Sequence, residues 1–269
     1  MQRTVLARSG IEVSRIGLGL SRIHHLMFES DRARLIDKAR SLGITHFDVA
    51  RLYADGLAER SLGRAVRRVR SSVTIASKFG LLPNDWLGAI GSAARPWWAA
   101  RSILRRVRLS HWPRRCFTAD TMRRSLTQSL RLMQTDYIDV YFLHEPRLED
   151  LAGNEELIDA LLQAKKGGQV RALGLAGADV GMHDQFPGVF DVIQTAESNW
   201  DGVTAAPDFT YGVLSGSRKA ISAEVGRTAG VRHLLQSALA RRPQGAVLLG
   251  TSKSGNLDVV AGIDWQRTI

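Results

Sequence analysis

Short apolar runs and helix-like segments alternate eight times between Arg15 and Ala261, and this rhythm limits the chain more than any one motif does. The strand-like runs are Arg15–Gly19, Ile44–Phe47, Val73–Ala76, Tyr137–Leu143, Val170–Leu175, Val189–Ile193, a weak Thr210–Leu214, and Gly245–Leu249. Between them lie stretches with helical spacing: Asp31–Ser41, Leu57–Val69, Ala119–Met133, Asn154–Lys166 and Val231–Arg241. Strands that read as near-continuous apolar runs have both faces buried, and parallel strands need a helical crossover between them. Eight such units without a break point to an α/β fold, a closed (β/α)8 TIM barrel rather than an open sheet. The 269 residues suit one barrel of about 250, so 1–269 reads as a single domain. Ahead of the first unit, Thr4–Leu6 and Ile11–Val13 flank Ser9-Gly10, the pattern of an N-terminal β-hairpin that closes the barrel floor.

One segment breaks the rhythm. Residues 82–117 carry Trp86, Trp97, Trp98 and Trp112 among arginines 95, 101, 105, 106, 108, 114 and 115. A connection of that length is expected to fold over the barrel mouth, with its arginines in water. Its central part, Trp97–Val107, also reads as a basic amphipathic helix that could dock on a membrane surface or a partner. The net charge of +11, with 31 of the 37 basic residues arginine, suits phosphorylated cofactors or acidic ligands. No zinc-finger, helix-turn-helix or ribonucleoprotein pattern accompanies it, so no nucleic-acid partner is expected. The single cysteine, Cys116, leaves no disulfide framework, the first residues lack a signal-peptide core, and no apolar stretch reaches membrane-spanning length. These features predict a cytoplasmic protein with no membrane span.

Four polar residues stand at the ends of successive strand-like runs: Asp48 and Tyr53 after the second, Lys78 after the third, His144 after the fourth. Each has an ordinary explanation alone: Asp48 a turn cap, Tyr53 a surface aromatic, Lys78 a solvated charge, His144 a loop histidine. Together they fall at the C-terminal strand ends of adjacent units, where barrels of this kind hold their active sites. A phenol titrates near pH 10, too high for efficient acid–base work at neutral pH. A neighbouring ammonium is expected to pull that value down while the carboxylate keeps the amine charged and the imidazole orients a substrate.

The same residues carry a family resemblance. Gly43-Ile44-Thr45-His46-Phe47-Asp48-Val49-Ala50, then Tyr53 and Glu59-Arg60-Ser61-Leu62-Gly63, resemble the first signature of the aldo-keto reductase family. Ser77-Lys78-Phe79-Gly80 resembles its catalytic-lysine segment, and Ser125–Leu132 with Thr135–Tyr141 and Leu143-His144 resembles the run to its catalytic histidine. The resemblance implies Tyr53 as proton donor to a carbonyl oxygen, Lys78 and Asp48 as its pKa-tuning pair, and His144 as substrate orienter. Hydride would come from a nicotinamide cofactor, and the partner would be a small carbonyl or alcohol substrate.

The resemblance extends to cofactor binding. Tyr211-Gly212-Val213-Leu214-Ser215-Gly216 resembles the seventh-strand loop around the pyrophosphate, and Gln194 resembles the glutamine that binds the nicotinamide carboxamide. Leu249-Gly250-Thr251-Ser252-Lys253 resembles the segment at the adenosine 2′-phosphate, where hydroxyls and an ammonium favour NADP. Three departures are visible. Ala176-Gly177 replaces the family's Ser-Asn, Asn256 stands where arginine is common and leaves NAD possible, and the short stretch 199–230 with little chain after the last helix implies a more open pocket. The expected activity is an NAD(P)-dependent aldehyde or ketone reductase, with no metal. The alternatives are an NAD-dependent sugar dehydrogenase, or a regulatory protein that binds cofactor on the same scaffold.

Overall fold

The computed structural model describes residues 1–94, 96–100, 113–177, 180–200, 206–214 and 227–268. It opens with two antiparallel strands, β1 (Arg3–Val5) and β2 (Glu12–Ser14), paired Arg3 to Ser14 and Val5 to Glu12. Gly10 makes the reversal at φ 67°, a left-handed value that a side chain would resist. Eight parallel strands follow: β3 (Ile16–Gly19), β4 (His46–Asp48), β5 (Thr74–Phe79), β6 (Ile138–His144), β7 (Val170–Ala176), β8 (Val192–Ala196), β9 (Phe209–Tyr211) and β10 (Ala246–Gly250). They pair in chain order, and β10 closes on β3, so the sheet is the expected (β/α)8 TIM barrel.

The core has two layers. Side chains facing into the barrel, among them Ala76, Val140, Phe142, Ala172 and Phe209, form one buried cluster with Leu6, Ile11 and Val13 of the hairpin. The hairpin therefore plugs the floor with apolar side chains, as its alternating pattern predicts. The second layer lies between strands and helices. Helix Ala119–Met133 starts where Thr118 Oγ1 accepts from Thr121 N, buries Met122, Leu126, Ser129 and Met133, and stops at Gln134 in a left-handed conformation. Helix Leu57–Val66 crosses it at Gly63, where a Cβ would come within 2.4 Å of the Met133 backbone. Among the described residues no helix is long and apolar enough to cross a membrane.

Several boundaries differ from the hydrophobic reading, for one reason. The ladder is made by backbone groups and continues after the side chains turn polar: Asp48 pairs with Ala76, Lys78 with Phe142, and His144 with Ala176. Asp48 and His144 therefore end their strands and Lys78 lies inside β5, rather than just past the runs. The sixth strand likewise shifts from Val189–Ile193 to Val192–Ala196, because Phe190 packs in the outer layer while Gln194 and Thr195 carry the ladder on. The seventh ends at Tyr211, since Gly212 turns away at φ 77°. Helix Leu57–Val69 ends at Val66 and tightens into a 3-10 turn, Arg67–Ser72, in which Val69 leaves helical geometry.

The segment expected as a loop over 82–117 has more order than its sequence shows. Its described part contains a helix, Asp85–Ala89, a 3-10 turn, Gly91–Ala94, and helical residues 96–100, with an antiparallel bridge between Leu81 and Arg115 at its base. Leu87, Ala94 and Trp98 are buried there with Leu57. Of the amphipathic helix expected over Trp97–Val107, residues 101–107 lie outside the described residues.

Candidate active site

Register alone collects the polar residues. Side chains alternate along a strand, so residues two apart share a face. Asp48 pairs with Ala76, placing Lys78, two residues on, on the same face. Lys78 pairs with Phe142, which puts His144 there too; His144 pairs with Ala176, and Ala176 with Gln194. Ala76, Phe142 and Ala176 belong to the cluster inside the barrel, so the shared face is the inner one. Asp48, Lys78, His144 and Gln194 thus converge at the C-terminal mouth. Tyr53 joins from the turn after β4, its ring 5.8 Å from that of His144 at 84°.

The contacts are short and enclosed. Lys78 Nζ donates to Asp48 Oδ2 at 2.5 Å and to the Val49 carbonyl at 3.0 Å. Gln194 Nε2 donates to the same carboxylate oxygen at 2.8 Å. The Lys78 ammonium lies 5.1 Å from the Tyr53 ring centroid. Of the buried side-chain polar atoms without a hydrogen-bond partner among the described residues, two belong to this cluster, His144 Nδ1 and Gln194 Oε1. Buried polar atoms are rarely left unpaired, so each marks a place for a ligand group.

Electrostatics assigns the protonation states. Enclosure by the barrel mouth pushes the Tyr53 phenol well above its ordinary value of 10.0, and the charges of Asp48, Tyr211 and Glu145 add to that. The direction is opposite to the lowering expected from Lys78, because burial desolvates the phenolate. Burial also lowers Lys78 from 10.5, against the opposing pull of Asp48 and Glu59. His144 falls well below 6.5 through burial and the nearby Lys78 charge, so its imidazole is neutral. The mouth therefore presents a protonated phenol, a neutral imidazole and a carboxylate-held amine: a proton donor beside a hydrogen-bonding ring.

A cleft of about 1250 Å³ runs from these residues to the far side of the mouth. It is lined by Asp48, Tyr53, Lys78, His144 and Gln194, then by Tyr211, Gly212, Val213, Leu214, Gly250, Thr251, Ser252 and Lys253. Ser215 and Gly216 lie outside the described residues. Thr251 Oγ1 is taken up by its own turn, accepting from Lys253 N at 3.1 Å and from Asn256 Nδ2 at 3.0 Å. Asn256 thus braces the loop, and the exposed Lys253 ammonium makes no ion pair among the described residues.

The cleft also takes in residues the sequence reading did not assign, chiefly Glu145, Gly177, Ser21 and Arg22. Glu145 has a signal, since it directly follows His144, and it sits at φ 54°. Gly177 stands at φ 76°, and a Cβ there would meet Glu145 Cγ at 2.9 Å, so this wall is built without a side chain. Ser21 and Arg22 carry no local signal; they reach the rim because β3 pairs Gly19 with Asp48 and the chain runs on beside it.

Residues 15–192, more than half of the chain, match the sequence profile of the Aldo/keto reductase family. The chain belongs to this family. Among its relatives, Aldo-keto reductase YhdN of Bacillus subtilis is 29% identical over 195 residues, covering 70% of this chain and 51% of YhdN. D-threo-aldose 1-dehydrogenase from a Pseudomonas species is 25% identical over 238 residues, 78% of this chain and 70% of that protein. The chain spans about half the length of the Bacillus subtilis relatives it matches. A solved aldo-keto reductase from Klebsiella pneumoniae, in complex with NADPH, superposes with a TM-score of 0.68 at 20% identity, covering 98% of this chain and 91% of that one, which shows the shared fold. This member of the family thus has its polar cluster at the barrel mouth, lining a cleft of about 1250 Å³.

Proposed function

We propose that this protein is an NADP-dependent oxidoreductase that interconverts a small carbonyl compound and its alcohol, with Tyr53 as the proton donor. The observation that carries this reading is the register that turns Asp48, Lys78, His144 and Gln194 onto one inner face beside Tyr53. The residues present suit a nicotinamide cofactor. Gln194 spends its amide nitrogen on Asp48 and keeps Oε1 as a buried acceptor for an amide N–H, the donor a carboxamide carries. Across the cleft, Gly212 lines the wall, and Ser252 and Lys253 offer a hydroxyl and an ammonium to a phosphate monoester.

When bound, the reduced cofactor supplies a hydride to the carbonyl carbon. The chain does the rest. The Tyr53 O–H bond breaks and its proton passes to the carbonyl oxygen, completing the alcohol, and the phenolate is reprotonated from solvent. Its raised pKa keeps the phenol loaded through neutral pH. Lys78, held by Asp48, offsets the negative charge that develops on the phenolate oxygen, and a neutral His144 ring N–H orients the carbonyl oxygen. Reversing these steps oxidises an alcohol. A second reading, an NAD-dependent sugar dehydrogenase, has its own support in the D-threo-aldose 1-dehydrogenase relative, for the substrate class, and in Asn256, for the cofactor, since it turns inward to Thr251 and carries no charge.

Tyr53→Phe is the test. General acid catalysis contributes about 10²–10⁴-fold, so turnover of glyceraldehyde falls by at least that much while NADPH fluorescence titration is unchanged. Turnover equal to that of the parent refutes the assignment, and initial rates with NADPH and NADH separate the two readings.

A further inference from the structure

The turn that carries Tyr53 is held by a segment outside the repeating barrel. Immediately after Tyr53, Ala54 and Asp55 adopt φ of 51° and 54°, and Gly56 follows at 94°. Two successive non-glycine residues in the left-handed region are strained, and such strain persists only where the surroundings impose it. Asp55 is the anchor. It is buried, its Oδ1 accepts from Asn84 N at 2.8 Å, and its Oδ2 accepts from the Trp98 indole Nε1 at 2.8 Å. Its carbonyl lies so close to Gly88 that a Cβ there would sit 1.9 Å away. Ala54 packs on the small cluster of Leu57, Leu87, Ala94 and Trp98.

A second tie runs beside the first. Arg51, two residues before Tyr53, is buried; it donates to the buried Glu59 at 3.3 Å and to Asp85. Its guanidinium also covers Gly56, where a Cβ would come within 2.5 Å of Nη1. Asn84, Asp85, Gly88 and Trp98 all belong to the segment inserted between β5 and helix Ala119–Met133. The insertion thus grips the Tyr53 turn on both sides and leaves the phenol facing the cleft.

We propose that Asp55 is a positioning residue: by bridging Asn84 and Trp98 it holds the left-handed turn that sets Tyr53 against His144 and Lys78. This rests on Tyr53 being the proton donor. Displacement of a reacting group by about 1 Å costs on the order of a hundredfold in rate, so an unpinned turn appears in turnover before it appears in binding. The Asp55→Gly variant tolerates the positive φ yet removes both acceptor oxygens, which separates the tether from the backbone strain. Asp55→Asn keeps one acceptor oxygen, and Trp98→Phe removes the indole donor while leaving an aromatic ring in the cluster.

The experiment measures kcat and KM for glyceraldehyde, and the NADPH dissociation constant, in the full chain. Asp55→Gly is expected to lower kcat about tenfold to a hundredfold, with KM and NADPH affinity within about twofold of the parent. Asp55→Asn recovers part of that loss, Trp98→Phe lowers kcat in the same sense, and adding Trp98→Phe to Asp55→Gly lowers it no further. Parental kcat in both Asp55→Gly and Trp98→Phe overturns the proposal, as does a kcat loss matched by an equal loss of NADPH affinity. If Asp55→Gly fails to fold, Trp98→Phe alone decides by the same criteria. An inactive Tyr53→Phe beside a fully active Asp55→Gly sinks only the positioning role, whereas a fully active Tyr53→Phe sinks both readings.

Discussion

Asp48→Asn removes the charge that the barrel mouth is organised around, and its cost can be worked from the contacts. The Lys78 and Asp48 side chains are 2% and 5% exposed, so solvent screens little of the pair. Without the carboxylate, the ammonium keeps the Val49 carbonyl at 3.0 Å and the oxygen of the introduced amide. Removing one member of a buried pair typically costs about 3–5 kcal/mol. Lys78 can avoid that by releasing its proton, which at roughly pH 7 means abandoning an intrinsic value of 10.5. At about 1.36 kcal/mol per pH unit, that route costs ~5 kcal/mol. The two estimates meet, so Asp48→Asn should lose about 3–5 kcal/mol of stability near neutral pH.

The sign of the pH dependence follows. Burial already lowers Lys78, and the substitution lowers it further. Between the variant's value and the parent's own depressed value the folded variant lacks a proton that the folded parent and the unfolded chain both bind, so the variant regains stability relative to the parent across that window and the two slopes run parallel above it. Urea unfolding followed by circular dichroism at roughly pH 7, 8 and 9 measures both quantities. A variant within about 1 kcal/mol of the parent, with parallel pH slopes, refutes the claim that this carboxylate sustains a buried ammonium. Turnover should fall with stability held constant by temperature, because Gln194 loses its charged acceptor as well.

Other outcomes follow from single contacts. His46, stacked on Phe209, is depressed from 6.5 to about 3 mainly by burial. The unfolded chain therefore takes up a proton first as pH falls below 6.5, and stability declines at up to about 1.36 kcal/mol per unit until about 3. His46→Gln flattens that slope in urea titrations; an unchanged slope rejects the assignment. Lys253→Gln should weaken NADPH about tenfold and leave NADH within twofold, since a charge-assisted contact of about 1.5 kcal/mol is lost from an exposed site; equal losses for both cofactors would place the ammonium elsewhere. Neutral His144 predicts that no imidazole signal titrates near 6.5 at this position in proton NMR, and a signal that does would contradict its desolvation.

Much of the site was legible because apolar side chains announce each strand and turn polar near its C-terminal end, although the ladder runs on through Asp48, Lys78 and His144. Asp48, Lys78 and His144 sit at those transitions, and helix Ala119–Met133 has the bounds its spacing predicts. Tyr53 is readable as a residue but its turn is not, because left-handed Ala54 and Asp55 are imposed by Asn84 and Trp98 from a different segment. The order within 82–94 is likewise invisible in a stretch without periodicity, as it depends on packing against Leu57 and Trp98. The use of Asn256 to brace Thr251 also depends on a contact that residue types alone do not specify.

The sequence by itself determined the number and order of the barrel strands and the polar residues after the second, third and fourth runs, since burial on both faces demands apolar runs and parallel pairing demands crossovers. Tertiary structure decided three things beyond that. Closure of the ladder aligned Asp48, Lys78, His144 and Gln194 on one inner face, a matter of register rather than composition. Gln194 was joined to Asp48 across the barrel, with Oε1 left open. The direction of the Tyr53 pKa was set by enclosure, because the cost of desolvating a phenolate depends on how much water the folded mouth excludes and not on which residues neighbour it in the chain.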